Sequence, residues 1–294
     1  MKKIIKKDRV IILLGIMALI VTAILWVFHL KPDWKYMVIQ TFKSTTTSKF
    51  DGEIVNVDTQ KVSINEAKKM KNVSFQQNLM LVNKENTINE NFNAKLLDYN
   101  GQGLLMNTCM VSDYKKLSNS IKDKFDENLF IMSSYRTAEE QQELFEEKGE
   151  SVAEPVGCSE HQTGLALDVY VQNFSGSAFI KSDVGQFVNS ECWKYGFIIR
   201  YPLNKSKVTG IDYEPWHIRY VGFPHSEIIQ KTGIAFEEYD NLFEKGKYYS
   251  YNGYLLSHQD GESIEIPQDF EKCVISPDNH DGFYITAKKF QKRG

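Results

Sequence analysis

The polar and apolar positions divide the chain into stretches of different character. After a short basic start, Val10 to Leu30 runs VIILLGIMALIVTAILWVFHL without a formal charge, and about 20 apolar residues suffice for a helix to cross a bilayer. The next 43 residues, 31–73, are rich in Thr, Ser, Lys and Asn and show no sustained period, so a stalk or linker is expected there. Periodic patterning resumes at NLMLVN, Asn78 to Asn83, a short strand candidate. Met110, Tyr114, Leu117, Ile121 and Phe125 then recur at helical spacing.

NLFIMSS predicts a strand, and TAEEQQELFEEKG a helix with Thr137 as N-cap, two glutamates in its first turn and Gly149 at its stop. LALDVYV is apolar on both sides of its alternation, the pattern of a strand buried on both faces. DVGQFVNSECWKYG predicts a helix closed by Gly196, FIIRY a strand, and WHIRYVG another that begins just after Pro215. This alternation predicts an α+β domain over 74–238: a small, antiparallel-rich sheet with flanking helices. Beyond Tyr239 the chain breaks into short strands separated by turn signals such as Asn252-Gly253 and Asp281-Gly282, and a small β appendage is expected over 239–294. His258 and His280 are placed in its solvated turns.

Charge refines the amino-terminal reading. Lys2, Lys3, Lys6, Lys7 and Arg9 outweigh Lys31 and Lys35 across the apolar run, which predicts a cytoplasmic tail over 1–9, a transmembrane anchor over 10–30, and everything later outside the cytoplasm. The run is longer than the core of a cleaved signal peptide and ends in Trp-Val-Phe-His-Leu rather than at a small-residue cleavage site. A net charge of -3 and a pI near 6.1 leave no basic excess for binding nucleic acid. The cysteines Cys109, Cys158, Cys192 and Cys273 form no CxxC pair, so neither a zinc ribbon nor a thioredoxin-like motif is indicated; pairing in twos stays open.

One position breaks the hydrophobic pattern in a chemically pointed way. Asp168 stands in the middle of LALDVYV, where an ionised carboxylate needs a compensating cation. Seven residues upstream, His161 lies on a loop marked by Gly157, Ser159 and Gly164, and His217 lies in the later strand that begins at about Trp216. Two imidazoles and one carboxylate make the three-ligand set of a catalytic zinc with an open fourth position. Glu214, three residues before His217, is placed as the base if the chain turns at Pro215; it would take a proton from a bound water whose pKa the metal brings to about 7. A structural zinc using Cys158 and His161 is a rival, although a thiolate tends to close the coordination sphere. A non-haem iron centre is a weaker one, because its two ligands usually lie closer in sequence than these six intervening residues allow.

SEHQTGLALD and EPWHIRY resemble the SxHxxGxAxD and ExxH motifs of the VanY-type D-alanyl-D-alanine carboxypeptidases. SSYRTAEEQ and KYGFIIRYP extend the resemblance, which covers about Asn78 to Ile229. It implies one zinc per chain held by His161, Asp168 and His217, with Glu214 as base and Arg136, Gln141 and Ser159 orienting the substrate. A guanidinium at a strand end suits this role, because it grips a free carboxylate with two parallel hydrogen bonds; an ordinary salt bridge to Glu139 or Glu140 is the plain alternative. The activity implied is removal of the terminal D-alanine from peptidoglycan stem peptides or precursors ending in D-Ala-D-Ala, with a contribution to glycopeptide resistance. A D,D-dipeptidase, an endopeptidase, or a wall-binding module that keeps zinc without hydrolysis are the other readings. Glu214 argues against the last, since a binding-only site has no use for a base.

Overall fold

The structure is a computed structural model that describes residues 2–45, 48–89, 92–150 and 153–290. It separates into two units, 1–45 and 46–294.

The first unit consists of two helices, Lys2–Leu30 and Pro32–Thr45. Val10–Leu30, none of it buried, is long and apolar enough to cross a membrane; at roughly 1.5 Å per residue it matches a bilayer's hydrocarbon core. Its one hydroxyl is satisfied within the helix, because Thr22 Oγ1 donates to the carbonyls of Ala18 and Leu19. The stretch expected as an irregular stalk therefore begins as a helix, with proline at its first position, where a missing N–H does no harm.

Among the described residues, the second unit contains a six-stranded sheet, a four-stranded sheet and two two-stranded ones. The four-stranded sheet carries the strands Phe130–Ser133, Ala166–Tyr170, His217–Tyr220 and Phe197–Ile199 in that spatial order, all antiparallel. Leu167 and Val169 point from the second strand into a core shared with Met106, Tyr114, Leu117, Ile121, Phe197 and Ile218. The predicted helix forms over Val111–Phe125, and its Tyr114, Leu117 and Ile121 stripe is the buried one. Asp168 points to the opposite face, which lines a pocket, so this strand is not core on both sides. The helix Ala138–Lys148 starts as expected from Thr137: its Oγ1 accepts from Glu140 N while Glu140 Oε2 accepts from Thr137 N.

NLMLVN is not a strand. Leu79, Met80 and Val82 are buried, but the carbonyls of Asn78 and Met80 accept from Arg219 Nη2, and Leu79 N donates to Ser276 Oγ. Side chains take up the bonds that a neighbouring strand would otherwise have made.

The larger sheet runs Glu53–Val55, Tyr248–Tyr251, Tyr254–Asp260, Gly282–Lys288, Lys272–Pro277, Val73–Phe75, and beside it Thr59–Ser63 pairs with Ser263–Pro267. The expected C-terminal β region thus draws three strands from residues 53–75, and the linker reading does not hold there. Three- to five-residue strands carry too little alternation to be recognised alone, and they are defined by their distant partners. The Asn252-Gly253 hairpin is present, both residues having positive φ.

His258 corrects a second expectation. It is fully buried within the Tyr254–Asp260 strand, its ring stacked on Tyr284 and its Nε2 2.8 Å from Asp278 Oδ2. The strand runs past the serine where its apolar run stops because it stays in register with Gly282–Lys288. His280 is exposed. All four cysteines are free.

Candidate metal centre

Register brings the site together. Asp168 is the cross-strand partner of His217 on one side and of Ser133 on the other, a spacing at which directly opposed side chains touch. A bulge between Ile131 and Ser133 adjusts the edge strand next to it. His161 arrives from the turn Glu160–Thr163, which Thr163 stitches by donating to Glu160 O and accepting from Leu165 N.

His161, Asp168 and His217 each offer one donor atom within 4.8 Å of the others. His161 Nε2 is 3.4 Å from Asp168 Oδ2, and His217 Nδ1 is 3.1 Å from Asp168 Oδ1. The other nitrogen of His161, Nδ1, is 2.7 Å from the Ser134 carbonyl, so it carries the proton and leaves the Nε2 lone pair facing the aspartate. Glu214 Oε2 is 3.6 Å from His217 Nδ1. The turn at Pro215 has the expected effect: Glu214 N donates to Tyr201 O, His217 N donates to Glu214 O, and Asn189 Nδ2 holds the Pro215 carbonyl.

The cluster suits a divalent cation. Asp168 Oδ1 is buried without a hydrogen-bond partner despite its nearness to His217, as expected of a ligand atom turned towards a shared ion. Burial opposes the charge on Asp168, yet His161 and His217 hold it well below the usual carboxylate range. Burial likewise opposes a charge on His217, but Asp168 and Glu160 push it up to about 10. The field therefore favours positive charge at the point where the three donors meet, and two imidazoles with a carboxylate suit zinc. Burial, partly offset by His217, raises the pKa of Glu214, the direction useful for a general base. Cys158 is not among the clustered ligand atoms, so the structural-zinc alternative finds no support among the described residues.

These side chains line a cavity of about 550 Å³ that also includes Arg136, Gln141, Ser159, Tyr201 and Trp216. Arg136 makes no ion pair among the described residues: its Nη1 donates to Gln141 Oε1 and its Nη2 to Ser133 Oγ. Its backbone N–H donates to the His161 carbonyl, tying it to the metal-site turn. Gln141 is fully buried and also donates to the Glu154 carbonyl, so its amide is held from both ends and positions Arg136.

Sequence reasoning missed a buried charge cluster behind His217, made of Glu160, Arg200, Arg219 and Glu237. The signal was available: Arg200 and Arg219 interrupt apolar strands as Asp168 does, and Glu160 lies beside His161.

The family described as VanY, D-alanyl-D-alanine carboxypeptidase, matches residues 103–223. A D-alanyl-D-alanine carboxypeptidase of Enterococcus faecium is 34% identical over 238 residues, covering 72% of this chain and 76% of that protein. Among solved structures, the chain is similar to a mutant of the vancomycin resistance D,D-pentapeptidase VanY from the VanB-type cassette in complex with Zn(II) (TM-score 0.50, 30% identity, 56% of this chain and 99% of that one). It is also similar to the D,D-dipeptidase VanXYg in complex with a D-Ala-D-Ala phosphinate analog (TM-score 0.60, 28% identity, 80% and 100%). Together with the donor set, these likenesses define a zinc metallopeptidase. The chain belongs to the VanY family of D-alanyl-D-alanine carboxypeptidases.

Proposed function

We propose that this protein is a membrane-anchored zinc D,D-carboxypeptidase that removes the terminal D-alanine from peptidoglycan stem peptides or precursors ending in D-Ala-D-Ala, outside the cytoplasmic membrane, and so contributes to glycopeptide resistance. The observation that carries the reading is the convergence of His161, Asp168 and His217 donor atoms within 4.8 Å, with Glu214 beside them and, in the same cavity, an arginine without an ion pair among the described residues. The apolar helix Val10–Leu30, with its basic flank, supports the anchor.

In this reading His161, Asp168 and His217 hold one zinc per chain. When bound, the metal supplies a polarising charge for the scissile carbonyl and an acidified water. Glu214, whose partly buried carboxylate has a raised proton affinity, accepts the proton of the attacking water and passes it to the departing amine. Arg136 receives the free carboxylate of the terminal D-alanine; Gln141 and Ser133 hold its guanidinium in place. Ser159, buried on the cavity wall, contacts the peptide.

The test uses the full chain in detergent with a panel of substrates: a pentapeptide ending D-Ala-D-Ala, the same ending in D-Ala-D-lactate, the free dipeptide D-Ala-D-Ala, and a tetrapeptide. D-alanine release from the pentapeptide is expected, with the rate falling about 10²–10⁴-fold in Glu214→Ala. Equal release by both proteins would sink the mechanism, and cleavage of the free dipeptide in preference to the pentapeptide would reassign the enzyme as a dipeptidase.

A further inference from the structure

Behind the centre, on the side of His217 turned away from Asp168, the Glu160 carboxylate is completely buried. Two guanidinium groups reach it, Arg200 through Nε and Arg219 through Nη1, each at 2.7 Å, and both bond to the same oxygen, Oε1. The other oxygen, Oε2, has no hydrogen-bond partner among the described residues and lies 3.9 Å from His217 Nε2. That nitrogen is also buried and also without a partner. An unmet acceptor thus faces an unmet donor, about 1 Å beyond hydrogen-bond distance.

We infer that Glu160 is a positioning residue that fixes His217 as an Nδ1 ligand by accepting its Nε2 proton. The inference rests on the assignment of His161, Asp168 and His217 as the zinc site. His161 has its own counterpart, the Ser134 carbonyl at Nδ1; for His217 the only candidate among the described contacts is Glu160. Metal-bound imidazoles generally donate their remaining N–H to a carboxylate or carbonyl, which fixes the tautomer and makes the ring a better ligand.

The surroundings are arranged to hold Glu160 still, with two buried guanidinium groups as its counter-charge. Arg200 is gripped from its far side by both oxygens of Glu237, and Arg219 by the carbonyls of Asn78 and Met80. A cluster serving only to glue the fold would be expected to use both oxygens of Glu160 on the two arginines, since a fork meeting a carboxylate favours paired bonds. Here one oxygen is left for the histidine.

The experiment is zinc affinity by chelator competition on the full chain in detergent, for wild type, Glu160→Gln and His161→Ala, with thermal unfolding of each metal-free protein measured alongside. Glu160→Gln keeps the volume but leaves one oxygen, which the two arginines claim, so an NH2 donor in place of an acceptor faces His217 Nε2, and zinc is expected to weaken about 10–100-fold. Because that variant leaves two buried arginines short of a counter-charge, a second measurement stands apart from its folding: ¹⁵N spectra of zinc-loaded wild type labelled at histidine, in which His217 is expected to carry its proton on Nε2, protected from solvent exchange. Wild-type affinity in folded Glu160→Gln, or an Nε2 without a proton, would overturn the inference. If His161→Ala still binds zinc as tightly as wild type, the metal-site assignment itself fails; if it loses zinc while Glu160→Gln does not, only the role of Glu160 fails.

Discussion

Replacing Arg136 with alanine separates a substrate grip from a structural ion pair. Two of the five guanidinium N–H groups are engaged, one with Gln141 and one with Ser133, and three are left for a ligand. The side chain is half-buried, and burial pulls its pKa below the usual arginine value against the opposing pull of Asp168 and Glu140; a bound carboxylate therefore gains more than it would in open water. Hydrogen bonds to charged groups contribute about 1.5–3 kcal/mol each, so losing a two-point grip removes about 3–6 kcal/mol before solvent takes back part of it. The expected outcome is a fall of about 10²–10⁴-fold in kcat/KM on a peptide ending in free D-Ala-D-Ala, where 1.4 kcal/mol is a factor of ten. The assay measures D-alanine release from that peptide and release of D-alaninamide from its C-terminal amide, for both proteins. Wild type is expected to prefer the acid strongly, and Arg136→Ala to lose most of that preference while cleaving the amide at close to the wild-type rate. An equal fall on acid and amide would refute the reasoning and make Arg136 a part of the scaffold.

Two further predictions concern stability. Gly164 closes the turn that carries His161; its φ is +67°, and an added Cβ would come within 2.7 Å of Leu96 Cδ2 and 3.0 Å of Asn107 N, so Gly164→Ala is expected to destabilise the second unit by about 1–3 kcal/mol, read as a lowered denaturant midpoint; an unchanged midpoint would contradict the strain at this turn. In the larger sheet, burial opposes the charge on Asp278, but His258 and the backbone N–H groups of His280 and Gly282 lower it to about 2. The folded carboxylate is thus the stronger acid, so its stabilisation is complete above the unfolded value near 3.8 and is lost as pH falls towards 2; Asp278→Asn is expected to remove about 2 kcal/mol at pH 7 and little at pH 2, and a pH-independent loss would show that the charge is irrelevant.

What the sequence made legible was whatever rests on local pattern or local chemistry. The stripe from Met110 to Ile121, the cap at Thr137 and the hairpin at Asn252-Gly253 need only their neighbours, and they formed as read. Asp168, His161, His217 and Glu214 stood out because each is a polar group in a pattern that asks for something else, and Pro215 announced the turn that joins the last two. Pairing over long range was hidden. Nothing within Glu53–Val55 or Val73–Phe75 says that these residues join strands some 200 positions away, and the burial of His258 follows from a register set by Gly282–Lys288. Glu160, Arg200 and Arg219 were hidden for a different reason: their charges compensate one another, and Glu160 meets the two arginines only through contacts 40 and 59 positions apart.

The site is built in two tiers that differ in how tightly they are held. Asp168 and His217 face each other across a ladder of backbone hydrogen bonds, so their separation is set by the sheet and changes only if the sheet does. His161, Glu214 and Arg136 come from turns, held by individual bonds to neighbours rather than by a strand ladder: Nδ1 of His161 to Ser134, the amide of Glu214 to Tyr201, the amide of Arg136 to His161. Turns tolerate exchange and insertion where strands do not. A scaffold of this kind can keep its metal while the residues that measure the length of the peptide change around it, and a D,D-dipeptidase and a D-alanyl-D-alanine carboxypeptidase both lie within 28–34% identity of this one chain. Under the proposed function, the choice between a dipeptide and a longer stem peptide is therefore to be sought in the cavity wall around Arg136, Glu154 and Asp212, contributed by the turns and loops that bound it, because Asp168 and His217 are fixed by the sheet.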